Sequence, residues 1–485
     1  MIVRAVQELY KRGVGSGRMD LGRWIGCFAV LWRWVMSVEF YYEPYPELEP
    51  PEPKRRRGWW VLVVGLVIVA MLGSGIGGVF WFVSLREEPE TAVSVPSVAV
   101  NRIAFINPNG QLVTMSPDGS NQRVLTDLNL RFQFPAWSPN GRSLAVIGSQ
   151  AGGGGIFLIS DEDEAEPEAI YNSTSQAPFY LYWSPDGRYL SFLVNHPGGI
   201  GLRLIQMDDT ERNSRLISLG VPFYWDWTPD SQQLLIHTGF AGEAARLTFI
   251  EPGGEVSGVN IAPPGFFQAP DISPDGRFLA YAEERSPGVS ALVVEDTATD
   301  SFFTQQHLGL IALGWSPVDN RLAFISNEEN TDSFWGPMRL LDAETDRLTL
   351  LTAETVVAFF WSPDGRYLAY ISVPGKDNGI NARRSGRLTK LAAQPNPHEF
   401  SLSVVDTYTG DVNLLARFTP TNSFLHQFLP FFDQYALSHH LWSPHSDALV
   451  LPMLQNGVEQ VVVVSVNGEP PHILTEGDMP FWSWR

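Results

Sequence analysis

A chain of 485 residues with 53 acidic against 33 basic side chains and a formal charge of −20 is too acidic to be read as a nucleic-acid binder. Its single cysteine, Cys27, excludes a disulfide framework, a catalytic thiol or a cysteine-based zinc site anywhere beyond the first segment. The length would allow about three ordinary domains, but all-β propellers often reach it as one unit.

Residues 1–57 carry ten basic and seven acidic side chains and read as a poorly structured cytoplasmic segment. It ends in the proline-rich tether EPYPELEPPEPKRRR from Glu43. Met36 offers a second start, from which the first 35 residues would not be made. Residues 58–85, GWWVLVVGLVIVAMLGSGIGGVFWFVSL, carry no charge; as a helix they would reach about 42 Å, enough to cross a hydrocarbon core of roughly 30 Å. Lys54, Arg55, Arg56 and Arg57 abut the start of this run, and Trp59, Trp60 and Trp81 fall at interface positions. The expectation is one signal-anchor helix with the N-terminus cytoplasmic and everything after Leu85 outside. A cleaved signal peptide is the alternative, although its apolar core would be only about 7 to 15 residues. Gly73-Ser-Gly75-Ile-Gly77-Gly78 spells GxGxxG, but without a preceding strand it holds no dinucleotide. The same small residues would let two such helices pair closely.

After a linker, 86–99, the exterior domain of residues 100–485 begins. A phrase of the type WSPDGRYLAY recurs, its first residue falling at Trp137, Trp183, Trp227, Ile272, Trp315, Trp361 and Trp442, with steps of 46, 44, 45, 43, 46 and 81 residues. Such spacing marks an array of similar units. In each, Pro presets φ and Gly tolerates positive φ in a tight turn, and an apolar strand follows. A second hairpin comes later, as in RLLDAETDRLTLL from Arg339 and SLSVVDTYTGDVNLL from Ser401. Four strands per unit, apolar at consecutive positions, describe the blade of a β-propeller. The Trp of each phrase is expected to fill the wedge between blades.

MSPDGS, residues 115–120, spells the same turn but occupies the second-hairpin slot, so residues 101–126 supply only three strands. The missing innermost strand is MPFWSWR, residues 479–485. The predicted fold is therefore all-β: an eight-bladed β-propeller closed by N- and C-terminal strands and preceded by one transmembrane helix.

The WSPDG-plus-strand repeat resembles the PD40 or TolB-like (WD40-like) β-propeller repeat, seen also in the propeller domains of dipeptidyl-peptidase-like and prolyl oligopeptidase-like enzymes. The resemblance covers nearly all of residues 100–485. It implies a fold, and only loosely a function, because such propellers serve as binding platforms, adaptors and peptidase gates. The chain departs from the peptidases in having no GxSxG nucleophile elbow.

Few residues suggest chemistry. His439, His440 and His445 lie near Asp433 without recognised metal-ligand spacing, and the acidic run DEDEAEPE, 161–168, reads as a solvated turn or a calcium loop lacking the usual glycine. No catalytic, cofactor-binding or metal-binding residue is expected. The stretched unit carries two insertions, 375–398 and 419–440, both expected to project from the face opposite the Pro-Asp-Gly turns. One is basic, with Lys376, Arg383, Arg384, Arg387 and Lys390; the other is aromatic, with Phe424, Phe428, Phe431, Phe432 and Tyr435. Long loops in a compact fold are usually functional or disordered. Arg383, Arg384, Arg387, Lys390, Phe428, Phe431, Phe432 and Tyr435 are thus the candidate partner-binding residues, with extra core as the alternative for the aromatic loop. The tether enters on the turn face, so that face should look toward the membrane and the insertions away from it. The reading is a membrane-anchored, extracytoplasmic, non-catalytic binding or adaptor module for a protein, peptide or envelope component. The alternatives are a hydrolase or lyase with its site in the central channel, or a transmembrane sensor.

Overall fold

The computed structural model describes residues 101–484 apart from 127–129, 151, 163–165, 240–244, 255–259, 287–288, 328–332 and 374–398. These residues belong to one compact unit, Ala99–Arg485. Residues 1–100, with the apolar run 58–85, lie outside them; among the described residues no helix is long and apolar enough to cross a membrane.

The unit is nearly all-β and consists of seven antiparallel sheets, arranged as in a β-propeller. Inner strands such as Leu234–Thr238 and Tyr367–Ser372 are buried at almost every position, as their unbroken apolar sequence requires of a sheet covered on both faces. Outer strands such as Glu168–Ser173 face solvent on one side. The strand Asp478–Trp482 pairs antiparallel with Ile103–Ile106, setting Phe481 against Ala104 and Trp482 against Ile103. One sheet is therefore assembled from both ends of the chain, as the misplaced MSPDGS turn indicates.

Three features depart from four strands per unit. Arg347–Trp361 is one continuous 15-residue strand that ends one unit and begins the next, merging two units into a seven-stranded sheet. No Gly or Pro interrupts RLTLLTAETVVAFFW, so nothing breaks the extended chain. The sheet begun by Phe223–Trp227 has three strands; Asn260 and Ile261 stand in for the fourth, bonding the backbone of Leu247 at 2.7 and 2.8 Å, before the chain at Pro263 and Pro264 passes to pair with Glu283 and Glu284 of the next sheet. In the unit that includes Ala448–Gln455, the innermost strand shrinks to the single bridge Trp442–Leu449.

The recurring phrase accounts for its own polar groups. Ser184 Oγ donates to Asp186 Oδ1 at 2.7 Å, that oxygen accepts the Arg188 N–H at 2.9 Å, and Ser184 Oγ accepts the Tyr189 N–H at 2.9 Å. The same circuit recurs at Ser273 and Ser362. Gly365 closes its turn at φ +68°, and a Cβ there would also lie 2.3 Å from Val318 Cγ2. Ser231 and Ser446 take the glycine position at φ 60° and 59°. Each accepts a backbone N–H from the preceding unit's turn, from Asp186 and Asp364 at 3.1 Å.

The indoles stitch unit to unit. Trp183, Trp315, Trp361, Trp442 and Trp137 donate Nε1–H to the carbonyls of Ala136, Asp271, Gly314, Phe360 and Phe481 at 2.9–3.2 Å. The acceptor in each of these five bonds directly precedes the aromatic or aliphatic wedge residue of the neighbouring unit. At Ile272, which has no indole, the side chain of Asp226 in that same slot accepts the Ile272 N–H at 3.3 Å.

Candidate functional site

The insertion 419–440 does not project outward. From Phe424 to Ala436 it winds through irregular helical turns, Phe424–Phe428, Leu429–Phe431 and Phe432–Ala436, and fills the centre of the domain. Phe428 stacks on Phe481 of the closing strand at 5.8 Å; Phe432 meets Phe334 and Phe359 edge-on at 5.5 and 5.2 Å; Tyr435 lies 5.0 Å from both Phe134 and Tyr180. These partners come from different sheets around the domain, so the segment is a hub against which the inner strands pack.

Phe428, Phe432 and Tyr435 are buried, as the extra-core alternative for this loop has it and not as rings awaiting a partner; only Phe431 of the four keeps solvent exposure. The physical reason is area: large rings bury more apolar surface against six or more inner strands than a loop in water can. Arg383, Arg384, Arg387 and Lys390 lie outside the described residues.

Polar groups fix the hub's register. The Gln434 carboxamide imitates a strand edge: Oε1 accepts the Trp225 N–H at 2.9 Å and Nε2 donates to the Trp225 carbonyl at 2.8 Å. Tyr180 OH donates to the Gln434 carbonyl at 2.8 Å, and Ser438 Oγ lies 2.6 Å from His439 Nδ1. Gln434→Leu removes both bonds to Trp225 and should cost about 1–3 kcal/mol for each inner-edge group left unpaired, read as a lower urea midpoint of the β-sheet domain.

Three carboxyl groups converge beside this network. The Ile272 N–H is shared by Asp271 Oδ1 at 2.8 Å and Asp226 Oδ2 at 3.3 Å. Asp271 Oδ2 accepts the Trp315 N–H at 2.7 Å, and Asp433 Oδ2 accepts the Ala269 N–H at 3.3 Å. Burial pushes Asp271 and Asp433 up to about 7, and burial next to Asp271 raises Asp226 well above the usual carboxylate range. The trio escapes a search for motifs. Its one sequence signal is a charge directly before a wedge residue, in DW at 226–227 and DI at 271–272, where other units carry Ala136, Tyr182, Gly314 or Phe360.

The histidine cluster is not a cluster. His439 sits inside the hub, where burial pushes it down to about 3; His440 packs edge-on against Trp484 at 3.7 Å; His445 is exposed on its turn. Among the described residues no group of three His, Cys, Asp or Glu side chains is placed to hold a metal ion. The acidic run is not wholly solvated either, because Asp161 is a buried ion-pair partner of Arg102 at 2.6 Å.

No protein-family model matches the chain, and no curated protein matches it. Among solved structures it is similar to TolB from Acinetobacter baumannii, at 16% identity over 65% of this chain and 63% of that one, with a TM-score of 0.37. It is similar to a putative TolB from Agrobacterium tumefaciens at 15% identity over 66% and 88%, with a TM-score of 0.33, and to a prolyl endopeptidase at 11% identity over 72% and 50%, with a TM-score of 0.49. The chain thus spans less than two thirds of the Acinetobacter protein and half of the endopeptidase.

Proposed function

We infer that the exterior domain is a non-catalytic binding or adaptor module on an eight-bladed propeller, displayed outside the cell membrane on one N-in helix. The observation that carries the reading is the filled centre. A propeller enzyme working in its channel needs an open path to its acid and base groups, whereas here Asp226, Asp271 and the aromatic segment's own Asp433 are only 4–6% exposed. The count of eight rests on separating the seven-stranded sheet at Arg347–Trp361 into two units. The membrane placement rests on residues 54–85 of the sequence, and pairing of that helix through Gly73 and Gly77 would make the module bivalent.

The partner is a protein, peptide or envelope component, met by the basic insertion 375–398 and by the half-buried Phe431. The test is site-specific photo-crosslinking of the full-length chain in membranes from positions 384 and 431, with Asp186 on the turn face as reference. One partner captured at the first two positions, and lost when Arg383, Arg384, Arg387 and Lys390 are all replaced by Ala, is the expected result. Capture equal from Asp186, or unchanged by the fourfold replacement, overturns the assignment of the binding face.

A further inference from the structure

The hub buries its own Asp433 on the Ala269 N–H, inside a ring that also buries Asp226 and Asp271. We propose that the central segment 424–439 is a proton-operated stopper, seated while Asp226, Asp271 and Asp433 are protonated and released from the centre when they ionise.

The geometry is specific. Asp226 and Asp271 compete for the single N–H of Ile272, so their carboxyl groups face each other, and two negative charges at that separation are mutually excluded unless a proton lies between them. Asp433 comes from the hub itself and docks on the Ala269 N–H, three residues before that shared donor. Ionisation therefore sets a charge on the hub against charge on the ring. The titratable groups facing the trio are Tyr180 and Tyr182 from one inner strand, Tyr224 beside Asp226, and His237, stacked on Phe267 at 4.1 Å. Tyr435 joins them from the hub. The tyrosines are raised and His237 is lowered to about 4 by burial, so all stay neutral around pH 7. The inner strands packed here, 178–183, 223–227, 234–238, 271–272, 311–315 and 356–361, contain no Lys or Arg. They offer no cation, only hydrogen bonds from the Tyr182 O–H and the Ile272 and Trp315 N–H groups, and a buried charge without a counter-charge is relieved by admitting water.

The sign follows from linkage. The seated state keeps the Asp271 and Asp433 protons up to about pH 7, while a hydrated carboxyl releases its proton near 4. Seating is fully supported below about pH 4, weakens as pH rises toward 7, and changes little above. For one such carboxyl the opening equilibrium rises roughly 10²-fold between pH 5 and pH 8.

Hydrogen exchange on the full-length chain reads this directly, with protection expressed relative to the unstructured rate at each pH. Protection of 424–439 should fall roughly 10²-fold or more from pH 5 to pH 8, while Ala448–Gln455 in the adjoining sheet keeps its protection. In the double variant Asp226→Asn, Asp433→Asn the fall should shrink by at least tenfold. A pH-independent hub, a fall shared equally by 448–455, or an undiminished fall in the folded double variant each overturns the proposal. If the variant does not fold, the ratio between the two segments in the native chain decides the matter alone.

Discussion

Deleting residues 479–485 should leave a domain that does not reach a cooperative folded state at 25 °C, and that aggregates through the exposed edge of Ile103–Ile106. The segment does more than add a strand. Phe481 and Trp482 are each 2% exposed; rings of this kind bury roughly 150–250 Å² each, so the pair contributes about 8–12 kcal/mol at ~25 cal/mol per Å². Net stabilities of about 5–15 kcal/mol leave little margin for such a loss. The deletion also removes the carbonyl that holds the Trp137 indole at 3.2 Å, the Trp482 N–H bond to His440 at 2.7 Å, and the face on which Phe428 stacks. It therefore loosens the N-terminal sheet, the last sheet and the hub together. Circular dichroism melts of the domain Ala99–Arg485 with and without the segment check this. A truncated domain melting within a few degrees of the intact one would show that the terminal pairing in Ile103–Ile106 is dispensable.

The repeat made most of the sheets legible, because Pro-Asp-Gly turns at near-constant spacing fix where each inner hairpin begins. The origin of the closing strand was legible for a related reason: MPFWSWR has the approach of the phrase without its turn. Where local chemistry was silent, the sequence misled. Nothing in RLTLLTAETVVAFFW says whether one strand ends before another begins, and the chain simply continues. The hub was legible only as one of two alternatives, extra core or a partner face, and its inward course was not. NSFLHQFLPFFDQYALSHH has no clean 3.6-residue period because it folds as three short irregular turns interrupted by Pro430, and composition cannot tell a ring seeking a partner from one buried under its own domain. The buried carboxyls stayed hidden because an Asp in a sequence is read as solvated until its surroundings are known.

Trp137→Ala should cost about 3–5 kcal/mol and Trp361→Ala only about 2 kcal/mol, although both residues open the same phrase. Trp137 is 2% exposed, and its indole reaches across the junction between the two ends of the chain to the Phe481 carbonyl. Trp484 in turn donates to the Trp137 carbonyl at 3.0 Å. Replacing the ring therefore opens a cavity and also removes a tie between its own sheet and the closing strand Asp478–Trp482. Trp361 is partly solvent-exposed. It is covered on the turn side by Arg321, whose guanidinium lies 5.5 Å from its ring and 4.4 Å from that of Tyr408. Arg321 is separately anchored by Asp319, Thr407 and the Gly365 carbonyl, so it can stay in place when the indole goes. Trp137→Phe separates the two contributions at the first site, since it keeps most of the buried area and loses the N–H; about 1 kcal/mol is expected for the unpaired Phe481 carbonyl. Guanidinium unfolding curves with unchanged slope measure all three. Equal losses for the two alanine variants would mean that burial in the wedge does not set the energy, and a loss below about 1 kcal/mol at Trp137 would remove the wedge as the reason for the repeated tryptophan.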